Sequence, residues 1–275
     1  SVLIVRAVSS TTPPATGGVT AARSDSGSDA ETVSPSEEVS EMPMQEADPT
    51  TVSMLIQDLQ PRGGTPRFVG ISERLVNRDD EREVALLHAA EQAVRYVRIG
   101  AEYRLISERT GSRAYYVEDI VTDWDKEAAP AVLERLTVVA VYQDFRRTYV
   151  LVEGDGLPRG PGFSVDSGNG RPGWVDSPPQ VPGYVSAVGV SRQGTRLRSS
   201  IDHADEEALK QIITQIGTSV TTLEQSRIVE RGTTSSTTTT YERAQAEIRG
   251  FDVVSRWISP DNRYVYSFAI ARAVE

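Results

Sequence analysis

The sequence predicts an α+β fold of two related small domains, each built as strand, helix and closing β-hairpin with the helix packed on an antiparallel sheet. Three observations support this prediction. The 275 residues leave room for one or two domains. Two segments, about 66–153 and about 180–275, carry similar motifs in the same order. Each has one apolar helical stripe followed by strand-forming residues, and such a stripe is buried most simply against a sheet.

The N-terminal part of the chain has the composition of a disordered arm. Residues 7–52 are rich in Ser, Thr, Pro, Ala and acidic residues and contain no aromatic residue. Such a segment cannot bury enough apolar surface to offset the entropy of ordering. Residues 1–60 carry two arginines against nine acidic residues. We therefore predict an acidic arm over residues 1–60. Its first residues, Ser1–Val5, are either the remainder of an export signal or a short strand or disordered end.

A divergent repeat is predicted over residues 61–153 and 180–275, joined by a linker over 154–179. Fourteen of the thirty residues in 154–183 are Gly or Pro, which is typical of linkers. Three features match between the repeats: Val69-Gly70-Ile71-Ser72 with Val188-Gly189-Val190-Ser191, Ala85-Leu86 with Ala208-Leu209, and Val138-Val139 then Tyr149-Val150 with Val253-Val254 then Tyr264-Val265. These matches favour an internal duplication, although each is short enough to arise by chance.

The elements of each repeat follow from periodicity and turn residues. Apolar residues at three- and four-residue steps predict helices over Asp80–Ile99 and Asp205–Ile216, the second with Asp202 as its N-cap. Strand-forming residues predict a first strand in each repeat, Arg67–Ile71 and Tyr184–Val190. They also predict a closing hairpin in each repeat, Leu136–Tyr142 with Thr148–Val152 and Phe251–Ile258 with Tyr264–Ala271. One further strand, Leu223–Val229, is predicted before the Thr/Ser run 233–240, which is interpreted as a loop.

The residue inventory favours a protein without catalysis. A net charge of −10 argues against a general nucleic-acid binder, and the absence of cysteine excludes disulfides and thiolate metal sites. His88 is followed four residues later by Gln92, where a metalloprotease helix needs a second histidine, so His88 and the other histidine, His203, are interpreted as structural. We predict no enzyme, no cofactor and no catalytic, cofactor-binding or metal-binding residue.

Two further patterns have unremarkable interpretations. The glycine-rich segment Gly168–Gly173 lacks both the Lys-Ser/Thr end and the following helix of a phosphate loop, so it is interpreted as linker. Acidic groups such as Glu118-Asp119 and Asp123-Trp124-Asp125 are interpreted as a solvated face, because residue type alone does not identify an acid/base pair.

The C-terminal repeat resembles the Lpp-twenty family of envelope lipoproteins over about residues 170–275. The resemblance lies in packing residues: a Pro-Gly-Trp entry, a proline pair, a strand ending at Val-Gly, an Ala-spaced helix and a late tryptophan in the closing hairpin. The motif residues are Trp174, Pro178, Pro179, Gly189 and Trp257. We expect Trp174 to pack against the sheet of the second domain, and the proline pair to set an extended entry.

This resemblance implies a cell-envelope protein of the periplasm or outer membrane with a structural or assembly role, the flagellar apparatus being one option. Its partners would be envelope proteins or further copies of itself, without nucleic acid. The family is usually lipid-anchored through an N-terminal cysteine, which this chain lacks. One expectation is a lipid anchor before Ser1, and this anchor would then be the only membrane attachment. The other is that this member is soluble in the periplasm.

Two other functions stay open on the sequence. The first is a periplasmic module that binds a small solute or peptidoglycan in a groove between the repeats, lined by aromatic residues such as Tyr184 and Trp257. The second is a hydrolase that uses clustered carboxylates, which would need two acids converging in a cleft.

Overall fold

Two β-sheets, each with a long helix on one face, make up the mixed α/β fold. The computed structural model describes residues 43–110, 113–165, 170–219, 224–231 and 236–274. These residues contain ten strands and four α-helices, and all lie within one compact unit. None of the helices described here is both long and apolar enough to cross a membrane.

The first sheet has the strand order β1-β5-β6-β2. Strand β2 runs antiparallel to β6, with Gly70 opposite Val150, and β5 and β6 form a hairpin. Helices α2 and α3 cover one face, and α1 with the first turns of α4 cover the other. The bounds are β1 Gln45–Glu46, α1 Pro49–Gln57, β2 Arg67–Glu73, α2 Arg78–Val97, α3 Ala129–Leu133, β5 Thr137–Gln143, β6 Arg147–Glu153 and α4 Leu197–Ser219.

The second sheet has the order β4-β3-β9-β10-β7, with β8 also pairing with β9. Strands β9 and β10 form a hairpin, and β7 pairs antiparallel with β10. The remainder of α4 covers one face of this sheet. The bounds are β3 Ile99–Thr110, β4 Arg113–Asp123, β7 Val185–Arg192, β8 Glu224–Arg231, β9 Ser236–Ile258 and β10 Tyr264–Val274.

The hairpin β3/β4 joins the two halves of the chain. It follows α2 in sequence, yet β3 pairs with β9 from Ile99 opposite Ile248 to Thr110 opposite Thr237. The two closing hairpins agree with the sequence prediction, whereas β3 and β4 were not predicted. The Thr/Ser run read as a loop lies partly in β9, which pairs with β3 and β8 from Ser236 onward; residues 232–235 lie outside the described residues.

Two glycines allow each long helix to touch its neighbouring strand. A Cβ on Gly70 would lie 1.7 Å from the carbonyl oxygen of Ala85 in α2, and one on Gly189 would lie 1.9 Å from that of Ala204 in α4. No side chain can occupy such a gap, so both strands need glycine there. Ala204, which contacts Gly189 as Ala85 contacts Gly70, lies one helical turn before the Ala208 that the sequence comparison matched with Ala85.

The closing hairpins are also offset from the predicted match. Gly70 lies opposite Val150, and Gly189 lies opposite Ser267. The sequence matching had paired Val150 with Val265, two residues away. The difference lies in the turns, because the first hairpin leaves four residues between the opposed Gln143 and Thr148, whereas the second leaves six between the opposed Ile258 and Val265.

Helix α4 begins earlier than its apolar stripe predicted. The prediction placed its start at Asp205 with Asp202 as N-cap, but the helix begins at Leu197 and Asp202 lies inside it. Leu197 and Ile201 pack against the first sheet, whereas the later apolar residues pack against the second. The apolar spacing itself continues upstream, because Leu197, Ile201 and Ala204 precede Ala208 at steps of four, three and four residues. The prediction placed the start too late because it took the acidic residues from Asp202 onward as the cap and first turn of the helix. Helix α2 agrees with its prediction to within two residues at each end.

The predicted arm and linker are only partly as expected. Residues 49–57 of the arm form α1, capped by Asp48, and Leu55 and the following Leu59 are buried against the first sheet. The composition of the whole arm does not reveal a single short helix, so this helix was not predicted. Residues 1–42 lie outside the described residues.

The segment predicted as a linker, 154–179, packs against the protein. Leu157 is buried in the core beneath α2, and Val165 and Trp174 are buried over the second sheet. Its glycines and prolines set turns, while these three apolar side chains anchor the chain. Residues 166–169 lie outside the described residues.

Candidate functional site

A cleft of about 1120 Å³ lies where the second half of α2, the segment after β4 and the middle of α4 meet. It is thus formed by both halves of the chain. Its lining combines charged groups with a small apolar surface: Glu91, Val94, Arg95, Val97, Arg98, Gly100, Thr122, Asp123, Trp124, Asp125, Lys126, Glu127, Ala128, Val132, Asp202, Glu206 and Leu209.

Trp124 is the aromatic centre of the cleft. Its partly buried ring packs against the cores of both sheets. The guanidinium carbon of Arg95 lies 5.4 Å from the ring centroid, and the Lys126 ammonium lies 5.1 Å from it. Cations at these distances are attracted by the indole quadrupole. Trp124 therefore supports the cleft floor and already holds two cations.

The carboxylates of the cleft differ in how they are held. Asp202 accepts from His88, and Glu206 pairs with Lys210 at 3.4 Å. Asp125 accepts from the backbone N–H of Glu127 and so caps the 3₁₀ turn Lys126–Ala128. The ion pairs of the lining residues involve other carboxylates, so Asp123, Asp125 and Glu127 have no cationic partner among the residues that the structure describes. The end of β4 and the turn after it thus present three carboxylates without an ion pair.

His88 connects this cleft to the first sheet. Its Nδ1 accepts from the backbone N–H of Ile71 at 3.0 Å, so its Nε2 carries the proton and donates to Asp202 Oδ1 at 2.8 Å. Burial opposes ionisation of Asp202, but the His88 hydrogen bond, with Arg95 and Arg198 nearby, holds the pKa of Asp202 below its usual range. The carboxylate is therefore ionised at neutral pH.

A second polar network lies deeper, between α2, α4 and the second sheet. Arg256 is fully buried and binds Asp205 through two hydrogen bonds, Nη2 to Oδ2 at 2.7 Å and Nε to Oδ1 at 3.1 Å. Ser267 donates to Asp205 at 2.6 Å. Arg256 also donates to Gln92, whose amide nitrogen donates to the carbonyl of Val69 at 2.8 Å. The ion pair therefore links β2 and α2 to α4 and the hairpin β9/β10.

A buried carboxyl without a partner lies on the same strand. Both side-chain oxygens of Asp252 lack a hydrogen-bond partner, and the residue is 1% exposed. Burial raises the pKa of Asp252 to about 8, although nearby Arg256 opposes this. Burial, with Asp252 close by, also raises the pKa of Tyr96, whose hydroxyl donates to the carbonyl of Pro158 at 2.6 Å. Asp252 is therefore protonated in the folded state at neutral pH.

We expect Asp252 to make stability fall as pH rises. The folded-state pKa of about 8 lies above the ordinary value of 3.8, so the folded state retains a proton that the unfolded state loses. The free energy of unfolding of the wild type, relative to that of Asp252→Asn, should fall by up to roughly 1.4 kcal/mol per pH unit between these two pKa values and level off above the higher one. Urea unfolding from pH 4.5 to 9 measures this. Asp155→Asn, at an exposed carboxylate, serves as control, and a pH-independent difference for Asp252→Asn would refute the assignment.

The five motif residues of the family resemblance lie away from the cleft. Trp174 stacks on Phe268 at 5.8 Å between ring centroids, so it packs against the second sheet as expected. Trp257 lies beside Tyr266 in the same cluster, 5% exposed. Pro179 accepts a hydrogen bond from Ser186 at the start of β7, and Pro178 precedes it. Gly189 makes the helix contact described above.

Neither Tyr184 nor Trp257, the aromatic residues expected to line a groove, lies in this cleft. Tyr184 stacks under Arg272, and Trp257 is buried. The cleft is lined instead by Trp124 with Asp123 and Asp125, a group that the sequence showed only as solvated acids. Its one distinguishing signal was a tryptophan between two carboxylates at the end of a strand-forming run.

The described residues contain no group of three or more His, Asp or Glu side chains that could hold a metal ion. Both ring nitrogens of His88 are engaged, by Ile71 and Asp202, so this histidine is not free to activate a nucleophile. His203 is exposed on α4. Comparisons of the chain with protein-family models, with curated proteins and with solved structures find no significant match.

Proposed function

We propose that this is a non-enzymatic protein of the cell envelope that acts in assembly and contacts a partner protein through the cleft around Trp124. The observation that carries the proposal is the position of the cleft. It opens between α2 and α4, where the two halves of the chain meet, and its lining offers charged and apolar contacts rather than a nucleophile with a base. Sites at such junctions are common places for binding.

The envelope location and the family membership rest on the sequence resemblance to Lpp-twenty proteins. Two of its motif residues, Trp174 and Trp257, lie in the same hydrophobic cluster over the second sheet. A structural or assembly role, in the flagellar apparatus or elsewhere, and self-association belong to the same proposal.

We also propose that the two halves arose by duplication into two related domains. In each half a strand contacts its helix through a glycine, Gly70 at Ala85 and Gly189 at Ala204. In each half that strand also pairs with the second strand of the closing hairpin. These shared contacts support the proposal, while the pairing of β3 with β9 would be a later union of the two copies.

A second candidate is a module that binds a small solute or peptidoglycan. The volume of the cleft favours it, because about 1120 Å³ is ample for a ligand. Sugar binding is disfavoured by the state of the Trp124 ring. A sugar would stack on this ring, but Arg95 and Lys126 already lie over it.

Fractionation of cells that produce the native full-length protein tests the envelope proposal. We expect the protein in the periplasmic or membrane fraction, together with an envelope marker. Recovery in the cytosol alone, with a cytosolic marker, would contradict it. The result does not depend on what the cleft binds.

A further inference from the structure

We propose that the cleft binds a basic segment of a partner polypeptide. This inference rests on the proposed function and adds the chemistry of the partner. Six of the lining residues are carboxylates and three are cations, namely Glu91, Asp123, Asp125, Glu127, Asp202 and Glu206 against Arg95, Arg98 and Lys126. Glu91 and Asp202 pair with Arg198, and Glu206 pairs with Lys210, so these three carboxylates are balanced by cations outside the lining. Arg98 likewise pairs with Glu247, which does not line the cleft. The carboxylates left for a ligand are Asp123, Asp125 and Glu127, all on one segment of the cleft wall.

The side chains over Trp124 show where a cationic group of a ligand would lie. Lys126 is exposed and extends over the indole from its own loop. An incoming lysine or arginine can take its place on the ring without disturbing the core. Asp123 and Glu127 flank Trp124 in the chain and have no cationic partner among the described residues, so they are available to pair with the next basic side chain.

The size and apolar lining favour a polypeptide over a small amine. The cleft volume of about 1120 Å³ exceeds the range of roughly 300–1,000 Å³ that encloses a drug-sized ligand. Half-buried Val97, with the small exposed parts of Val94, Val132 and Leu209, supplies a limited apolar surface beside the carboxylates. The methylene stems of lysine and arginine pack well on such a surface while their charged ends reach the acids.

Titration of the full chain with hexalysine tests the inference, with tryptophan fluorescence as the readout. Trp124 is partly exposed, whereas Trp174 and Trp257 are 3% and 5% exposed, so the signal reports on the cleft. We expect saturable binding that weakens with salt, no binding of hexaglutamate, and weaker binding of spermine. The triple variant Asp123→Asn, Glu127→Gln, Glu206→Gln should lose about tenfold or more in affinity.

A matched triple variant, Glu83→Gln, Glu134→Gln, Asp155→Asn, removes the same charge from exposed positions outside the cleft and should leave the affinity nearly unchanged. Equal losses in the two triple variants would mean that hexalysine senses only net charge and would overturn the inference. Absence of binding, or spermine binding as tightly as hexalysine, would overturn it as well. None of these outcomes bears on the fractionation result, so failure of the inference is distinguishable from failure of the proposed function.

Discussion

Replacing Gly70 or Gly189 with alanine should destabilise the protein by about 3 kcal/mol or more, enough to unfold a domain of ordinary stability. The added methyl group would lie 1.7 Å from a backbone carbonyl oxygen of α2 in the first case and 1.9 Å from one of α4 in the second. A carbonyl inside a helix cannot move aside like the end of a side chain, so the whole helix must shift from its strand. Urea unfolding followed by circular dichroism measures the loss.

Two glycines of the same chain provide matched controls. A Cβ at Gly162 or Gly173 would meet no atom within 4 Å, and neither residue has a positive φ. Alanine at these positions should change the free energy of unfolding by less than about 1 kcal/mol. If Gly70→Ala and Gly189→Ala were as stable as the controls, the close helix–strand contact in both halves would be wrong.

Asp205→Ala should cost about 3–5 kcal/mol of stability, because it leaves the Arg256 guanidinium charged and buried without its counterion. Arg256 is 0% exposed and Asp205 1% exposed. The variant also removes the acceptor of the Ser267 hydroxyl. As a control, Asp176→Ala breaks the exposed pair with Arg171 and should cost less than about 1 kcal/mol.

A double variant separates the loss of the pair from the burial of a lone charge. Replacing Asp205 by leucine and Arg256 by methionine removes both charges and keeps apolar volume, so it should recover a large part of the loss seen in Asp205→Ala. If Asp205→Ala cost no more than Asp176→Ala, the buried ion pair would not exist as described.

Much of the secondary structure could be predicted because it is local. The stripe of α2 and the turn Ser259–Arg263 between β9 and β10 carry their signals within a few residues. The start of α4 was placed too late because the acidic residues from Asp202 onward resemble a first turn, although the helical spacing of apolar residues extends back through Ile201 to Leu197. The position of β3 depends on pairing with β9, about 140 residues away in the chain, for which the sequence contains no local signal.

The candidate site could not be predicted for a related reason. Asp123, Trp124 and Asp125 are recognisable as an acidic group, but their meaning depends on α2 and α4 approaching them. The buried ion pair could not be predicted either, because Arg256 and Asp205 are 51 positions apart in the chain. Both residue types also occur mostly on protein surfaces. Residue type indicates what a group can do, and only the fold determines its neighbours.

Hydrogen–deuterium exchange of the full chain with and without saturating hexalysine tests the central claim most directly, because it locates the ligand. We predict slower exchange within residues 91–98, 122–128 and 202–209, which are the three segments that line the cleft. Protection confined to other segments, or bound hexalysine without protection in these three, would contradict the claim that the cleft between the two halves is the binding site.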